Sequence, residues 1–270
     1  MDLKLVICDI DGTLVSDDKK LLPLSKKMIQ TLHDRHIMFG VASGRPVDEL
    51  AGLALKWGLG FDFGIVIGMN GAELYDGISK QRYDYFKLKK DWIKEIIDIL
   101  EPFNLNPYMY KGNKILCLYD DENMQNSSKK SNKMLKVAKD ISDFYEEDNA
   151  KIMFKIDENR IDEIMEYANK HKRDEYIAFK TQPIMLEFAD KRVAKGYALS
   201  KFCEMHDIGL SAVMAFGDMD NDISMLEASG FGVCLINGSD TTKKIADDIT
   251  EKSNNEDGFG YYMQKVLSKF

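Results

Sequence analysis

The stretch Leu3-Lys4-Leu5-Val6-Ile7-Cys8, running into Asp9-Ile10-Asp11-Gly12-Thr13, decides the fold. A short apolar run without alternation reads as a strand buried on both faces, as in a parallel sheet covered by helices. Four more runs of this kind follow: Met38 to Ala42, Gly64 to Gly68, Ala212 to Gly217 and Phe231 to Ile236. Between them lie helical patterns, among them Ser25 to His36 with Met28, Ile29 and Leu32, and Lys195 to His206 with Leu199, Phe202 and Met205. This βαβα alternation predicts an α/β protein with a Rossmann-like parallel-sheet core and helices on both faces. The runs end in Asp9, Ser43, Met69-Asn70, Asp218 and Asn237. Ligands of open α/β sheets bind at the carboxyl ends of the strands, so these residues are expected to line one crevice.

The middle of the chain reads differently. Expected strands at Tyr83 to Leu88, Pro107 to Lys111, Ile115 to Tyr119, Ile152 to Ile156, Ile177 to Lys180 and Met185 to Phe188 are amphipathic or edge-like, with helices at Asp91 to Phe103 and Glu158 to Lys172. The polar segment Asp120 to Lys133 reads as a surface loop or helix start. A stretch of this length is no loop between neighbouring strands. Residues 83–190 are therefore expected to be an inserted α+β domain, a mainly antiparallel sheet with helices on one face. Residues 1–82 and 191–270 then form a discontinuous core.

The 270 residues are 44% hydrophobic and 30% charged, which excludes disorder as the main state. Uncharged stretches reach about a dozen residues, short of the roughly 18 to 20 that span a bilayer. A formal charge of -8 gives no basic footprint for nucleic acid. Cys8, Cys117, Cys203 and Cys234 sit singly in apolar segments, as reduced, packed thiols do. The amino-terminal acids Asp2 and Asp9, without a small-residue cleavage site, argue against a secretory signal. The expectation is a cytoplasmic protein with no membrane or nucleic-acid partner; the oligomeric state is left open.

Two carboxylates at Asp9 and Asp11, where a strand opens into a loop at Gly12, can face one metal and one substrate, although Asp-Gly is also ordinary turn chemistry. The segment Gly217-Asp218-Met219-Asp220-Asn221-Asp222 ends the fourth run and precedes a helix at Ile223 to Ala228. Helix capping accounts for one of its acids, not three. Acids crowded at a sheet mouth require neutralisation, and an all-oxygen donor set favours magnesium over zinc. Ser43-Gly44-Arg45 offers a hydroxyl, a backbone N–H and a guanidinium to an anionic oxygen, and Lys195 an ammonium. Asn70-Gly71 either orients a ligand or forms a tight turn. Competing signatures are absent: there is no P-loop, no complete G-x-G-x-x-G after a strand and no G-x-S-x-G elbow. His33, His36, His171 and His206 lack metal-ligand spacing.

In order, DIDGT (Asp9 to Thr13), ASGR (Ala42 to Arg45), Lys195 in VAKGYAL and GDMDND (Gly217 to Asp222) resemble the four motifs of the haloacid dehalogenase superfamily, specifically its Cof-type phosphatases with a large α/β cap (type IIB). MNGA (Met69 to Ala72), ADDIT (Ala246 to Thr250) and DGFG (Asp257 to Gly260) support the resemblance; Leu235-Ile236-Asn237-Gly238 departs from the family's usual Met-Gly-Asn-Ala. The resemblance implies a magnesium-dependent phosphatase of small phosphomonoesters, such as sugar phosphates or phosphorylated cofactors. It makes Asp9 the nucleophile that becomes an aspartyl-phosphate and Asp11 the general acid and base. It assigns Mg2+ to the Asp9 and Asp218 carboxylates and the Asp11 carbonyl, with Asp222 supporting. It places Thr13, Ser43, Gly44, Arg45, Asn70, Lys195 and Asn221 around the phosphate, and a closing cap that excludes water and reads the leaving group. A phosphotransferase or mutase using the same intermediate, and a receiver-like phospho-switch, are the alternatives.

Overall fold

The computed structural model describes residues 2–268, which divide into two compact units: residues up to Tyr85 with those from Ala194 onward, and Phe86–Val193. Along the first run β1 (Leu5–Asp9), α1 (Pro23–Asp34), β2 (Met38–Ala42), the single turns α2 (Val47–Leu50) and α3 (Leu53–Lys56), β3 (Ile65–Gly68), β4 (Glu73–Asp76) and β5 (Gln81–Asp84). The second holds α4 (Lys90–Leu100), β6 (Pro107–Lys111), β7 (Lys114–Cys117), α5 (Glu122–Ser131), β8 (Met134–Val137), β9 (Ile152–Lys155), α6 (Ile161–His171), β10 (Tyr176–Gln182) and β11 (Met185–Asp190). The first unit resumes with α7 (Lys195–Met205), β12 (Val213–Gly217), α8 (Ile223–Ala228), β13 (Phe231–Cys234), α9 (Asp240–Ile245), β14 (Asp248–Ile249) and α10 (Gly258–Leu267).

The first unit is an eight-stranded sheet in the order β14-β13-β12-β1-β2-β3-β4-β5, parallel from β14 to β3. The pleat sends Val6 and Cys8 to one face, against Met28, Ile29 and Leu32 of α1 and Phe259 and Met263 of α10. Leu5 and Ile7 point to the other, against Leu199 and Phe202 of α7 and Met225 of α8. Both faces are thus covered, which is why the strands read as unbroken apolar runs. β4 and β5 add an antiparallel hairpin at the far edge. The strand expected at Tyr83 to Leu88 is displaced: Tyr83 belongs to β5, paired to β4 in this sheet. The Asp76 carboxylate turns the hairpin by accepting the Ile78 and Ser79 N–H groups.

The second unit is a six-stranded sheet, β10-β11-β9-β6-β7-β8, antiparallel except for the β7–β8 pair. One face, with Met109, Leu116, Ile152 and Phe154, packs on Ile93 and Ile96 of α4 and Ile164 of α6. The expectation of helices on one face needs correction, because Met124 of α5 packs with Tyr108, Ile115 and Met153 on the other. The polar 120–133 segment supplies that helix, capped by the Asp121 carboxylate on the Met124 N–H. All four cysteines are buried and free. Among the described residues no helix is long and apolar enough to cross a membrane.

α1 begins at Pro23 with no side-chain cap from Leu22. Its exposed amides are met instead by Asp257, from just before α10, which accepts the Leu24 N–H at 2.8 Å, the Ser25 N–H at 2.9 Å and the Ser25 hydroxyl. Asp257→Ala is expected to cost about 1–2 kcal/mol, the usual size of a lost cap. Denaturant midpoints measure it, with Asp257→Asn retaining part of the stability.

Candidate active site

β1 lies between β12 and β2, the point at which successive connections diverge to opposite sides of the sheet, and its last residue, Asp9, pairs in register with Ala42. The carboxyl ends of β12, β1, β2 and β3 therefore open on one crevice. Asp9, Asp218 and Asp222 are buried there, each offering an oxygen within 4.8 Å of the others. Lys195, the first residue of α7 and fully buried, donates to Asp9 Oδ1 at 2.6 Å and Asp222 Oδ1 at 2.5 Å. Asp222 Oδ2 accepts the backbone N–H groups of Asp218 and Met219. Asp218 Oδ1 accepts the Thr13 hydroxyl at 2.6 Å.

This packing has electrostatic consequences. Burial pushes the Asp9 carboxyl well above the ordinary carboxylate range; Lys195 opposes the shift, and Asp222 and Asp218 add to it. Burial also raises Asp218 to about 6, against the Thr13 hydrogen bond. Burial alone would lower the Lys195 ammonium, but Asp222 and Asp9 hold it above its ordinary value.

The neighbouring loops are laced together. Asn70 has a left-handed backbone (φ 57°), its N–H donates to the Ser43 carbonyl, and its side-chain oxygen accepts the Asn221 amide at 3.1 Å. Of the two readings open for Asn70-Gly71, the structure adds a third: Asn70 bridges the β2 and β12 loops. Gly71 (φ 107°) abuts the start of α7, where a Cβ would lie 2.2 Å from the Ala194 carbonyl oxygen. Only glycine lets this loop set the position of Lys195. Ser43 is buried, its hydroxyl accepting the Arg45 N–H, while Gly44 and Arg45 are half-buried. Asn237 donates to the Gly12 carbonyl at 2.8 Å and accepts the Asn254 N–H, tying the β13 exit to the Asp-Gly-Thr loop.

Asp11 stands apart from the buried cluster. It is half-exposed, and its Oδ1 accepts Arg45 Nη2 at 2.5 Å and Lys19 Nζ at 2.8 Å. Lys19 carries no motif, and only the hairpin that folds residues 15 to 21 back toward Asp11 reveals it.

Residues 6–263 match the family model of haloacid dehalogenase-like hydrolases, and the chain belongs to that family. It is 29% identical over 258 residues to the 5-amino-6-(5-phospho-D-ribitylamino)uracil phosphatase YcsE of Bacillus subtilis, covering 96% of this chain and 93% of the relative. YitU, a phosphatase of the same name from that organism, is 26% identical over 269 residues, covering 98% and 97%. A haloacid dehalogenase-like hydrolase from Bacteroides thetaiotaomicron superposes with a TM-score of 0.86 at 24% identity, covering 98% of this chain and 99% of the other. The resemblance read from the four motifs is therefore the family itself, and the chain is a phosphatase of this class. Such phosphatases generally use a divalent metal. Three buried carboxylates facing one lysine, with no nitrogen or sulfur donor among them, suit a hard cation.

The raised Asp218 carboxyl gives this fit a pH signature. Relative to its ordinary 3.8, a value of about 6 means that the folded protein takes up a proton as the pH falls through that window. The charged form costs folding stability above about pH 6, and the cost fades toward 3.8. A cation binds the charged form, so Mg2+ is expected to raise the melting temperature at about pH 7.5 and progressively less down to about pH 5. Melting curves with and without Mg2+ measure this; an equal shift at both ends would contradict it.

Proposed function

We propose that this chain is a Mg2+-dependent phosphatase of small phosphomonoesters, working through an aspartyl-phosphate on Asp9. The observation that carries the reading is the buried Asp9 at the end of β1, whose Oδ1 accepts the Lys195 ammonium, and its second oxygen, Oδ2, is the one assigned to the attack. Asp9 Oδ2 attacks phosphorus, the bond from phosphorus to the leaving oxygen breaks, and Asp11 gives that oxygen its proton. Water then attacks the phosphoryl group, passing its proton to Asp11, and phosphate leaves with Asp9 restored. Asp9, Asp218 and the Asp11 carbonyl, with Asp222 bracing them, would hold a Mg2+, which would supply the charge neutralisation that lets a carboxylate approach a phosphate dianion. Thr13 orients Asp218. Ser43, Gly44, Arg45, Asn70, Asn221 and Lys195 form the surroundings of the phosphoryl group, with Lys195 also opposing the rise that burial imposes on the Asp9 carboxyl.

The two Bacillus subtilis relatives are named for a substrate whose phosphate sits on a ribityl carbon. Their likeness supports a primary alkyl phosphate, such as a sugar or sugar-alcohol phosphate, as the substrate class. An alkoxide is a poor leaving group, which gives Asp11 its purpose. The inserted Phe86–Val193 unit is proposed to select the leaving group.

Phosphate release from a panel of phosphomonoesters, with and without Mg2+, tests the reading. Asp9→Asn removes the nucleophile at nearly constant volume and is expected to lower kcat by at least about a thousandfold. Undiminished turnover would refute the role of Asp9. Asp11→Asn is expected to lose about 10²- to 10⁴-fold. Normal turnover there would remove Asp11 from the proton transfers.

A further inference from the structure

We infer that Lys19 is a positioning residue for the proton transfers of Asp11, an inference that rests on the general-acid role proposed above. Arg45 and Lys19 both pair with the same carboxylate oxygen, Asp11 Oδ1, at 2.5 and 2.8 Å. Two cations on one oxygen fix the rotation of the carboxylate about its last side-chain bond. Oδ2 is thereby directed to the oxygen that needs a proton.

Lys19 is brought to this place by a built hairpin. Asp11 bridges to Val15, and Val15 to Leu21. The Ser16 N–H donates to the Lys20 carbonyl at 3.0 Å, and the Lys19 N–H to the Ser16 carbonyl at 2.8 Å. Lys19 itself adopts φ 61°, a left-handed conformation uncommon for a lysine, at the turn of this hairpin, and its ammonium meets Asp11. The hairpin is anchored by Asp17, which accepts the side-chain amides of Asn254 at 3.0 Å and Asn255 at 2.8 Å. An exposed ion pair contributes little to stability, and the Lys19 side chain is 60% exposed. Its effect therefore falls on the geometry of Asp11 and not on the fold.

The test compares ribitol 5-phosphate, whose alkoxide leaves only with a proton, with p-nitrophenyl phosphate, whose leaving group needs little help. Asp11→Asn sets the scale, with a larger loss of kcat on ribitol 5-phosphate. Lys19→Ala is expected to lose about tenfold in kcat on ribitol 5-phosphate and little on p-nitrophenyl phosphate, with KM and the melting temperature unchanged. Lys19→Arg is expected to recover most of the loss, and Lys20→Ala to behave as the wild type. Equal losses on both substrates, or none, in Lys19→Ala would overturn the inference while Asp11 keeps its role. An Asp11→Asn variant without leaving-group preference would overturn both.

Discussion

The structure depends on a buried charge problem at the end of β1. Asp9, Asp218 and Asp222 are packed within one small volume beneath the crevice, and Lys195 is the cation bonded to two of them. Buried ion clusters repay their desolvation only with near-ideal geometry and fully used hydrogen-bonding capacity. Asp222 meets that standard, with one oxygen on Lys195 and the other on two backbone N–H groups. Asp9 and Asp218 do not, and burial holds both carboxyls above their ordinary range. Such imbalance marks functional sites, since it stores affinity for whatever supplies the missing positive charge.

Most of the surrounding architecture serves to hold these groups in place. Lys195 and Asp9 are 186 residues apart, and the sheet order, with β12 and β2 on either side of β1, makes them neighbours. The contacts among loops then fix the orientation of each side chain. Asn70 joins Ser43 to Asn221, Gly71 admits the start of α7, and Asn237 ties the Gly12 carbonyl to the segment before α10. Each strand end is cross-linked to another, which is how a site assembled from separate loops attains the precision that phosphoryl transfer needs.

Legibility in the sequence followed burial. Strands covered on both faces, such as β2 and β12, are unbroken apolar runs and read directly. β4, β8 and β14 escape a reading by pattern because each is four residues or fewer and lies at or near a sheet edge; β4 and β14 carry acids, and β8, apolar but for Lys136, is largely exposed, so neither periodicity nor hydropathy sets them apart. Leu235-Ile236-Asn237-Gly238 looked like a departure, yet Asn237 keeps a structural link to the Asp-Gly-Thr loop whatever its neighbours are. Lys19 was invisible for a different reason. A lysine in a polar loop is normally solvated, and its approach to Asp11 depends on a left-handed turn that no local sequence rule demands.

The same physics explains how two aspartates separated by one residue come to differ. Had β1 continued, Asp9 and Asp11 would share a face and a single environment. The strand stops at Asp9, and the chain turns at Gly12 (φ 90°), where a Cβ would lie 2.4 Å from Asp218 Oδ2. Asp9 stays with the sheet, dry and tied to Lys195, suited to react in a fixed line. Asp11 swings out, half-exposed, to Arg45 and Lys19, where proton exchange with water is open to it. One strand end and one glycine thus convert a repeated residue type into two chemically distinct groups, and the proposed division of labour between nucleophile and proton carrier follows from where the sheet ends.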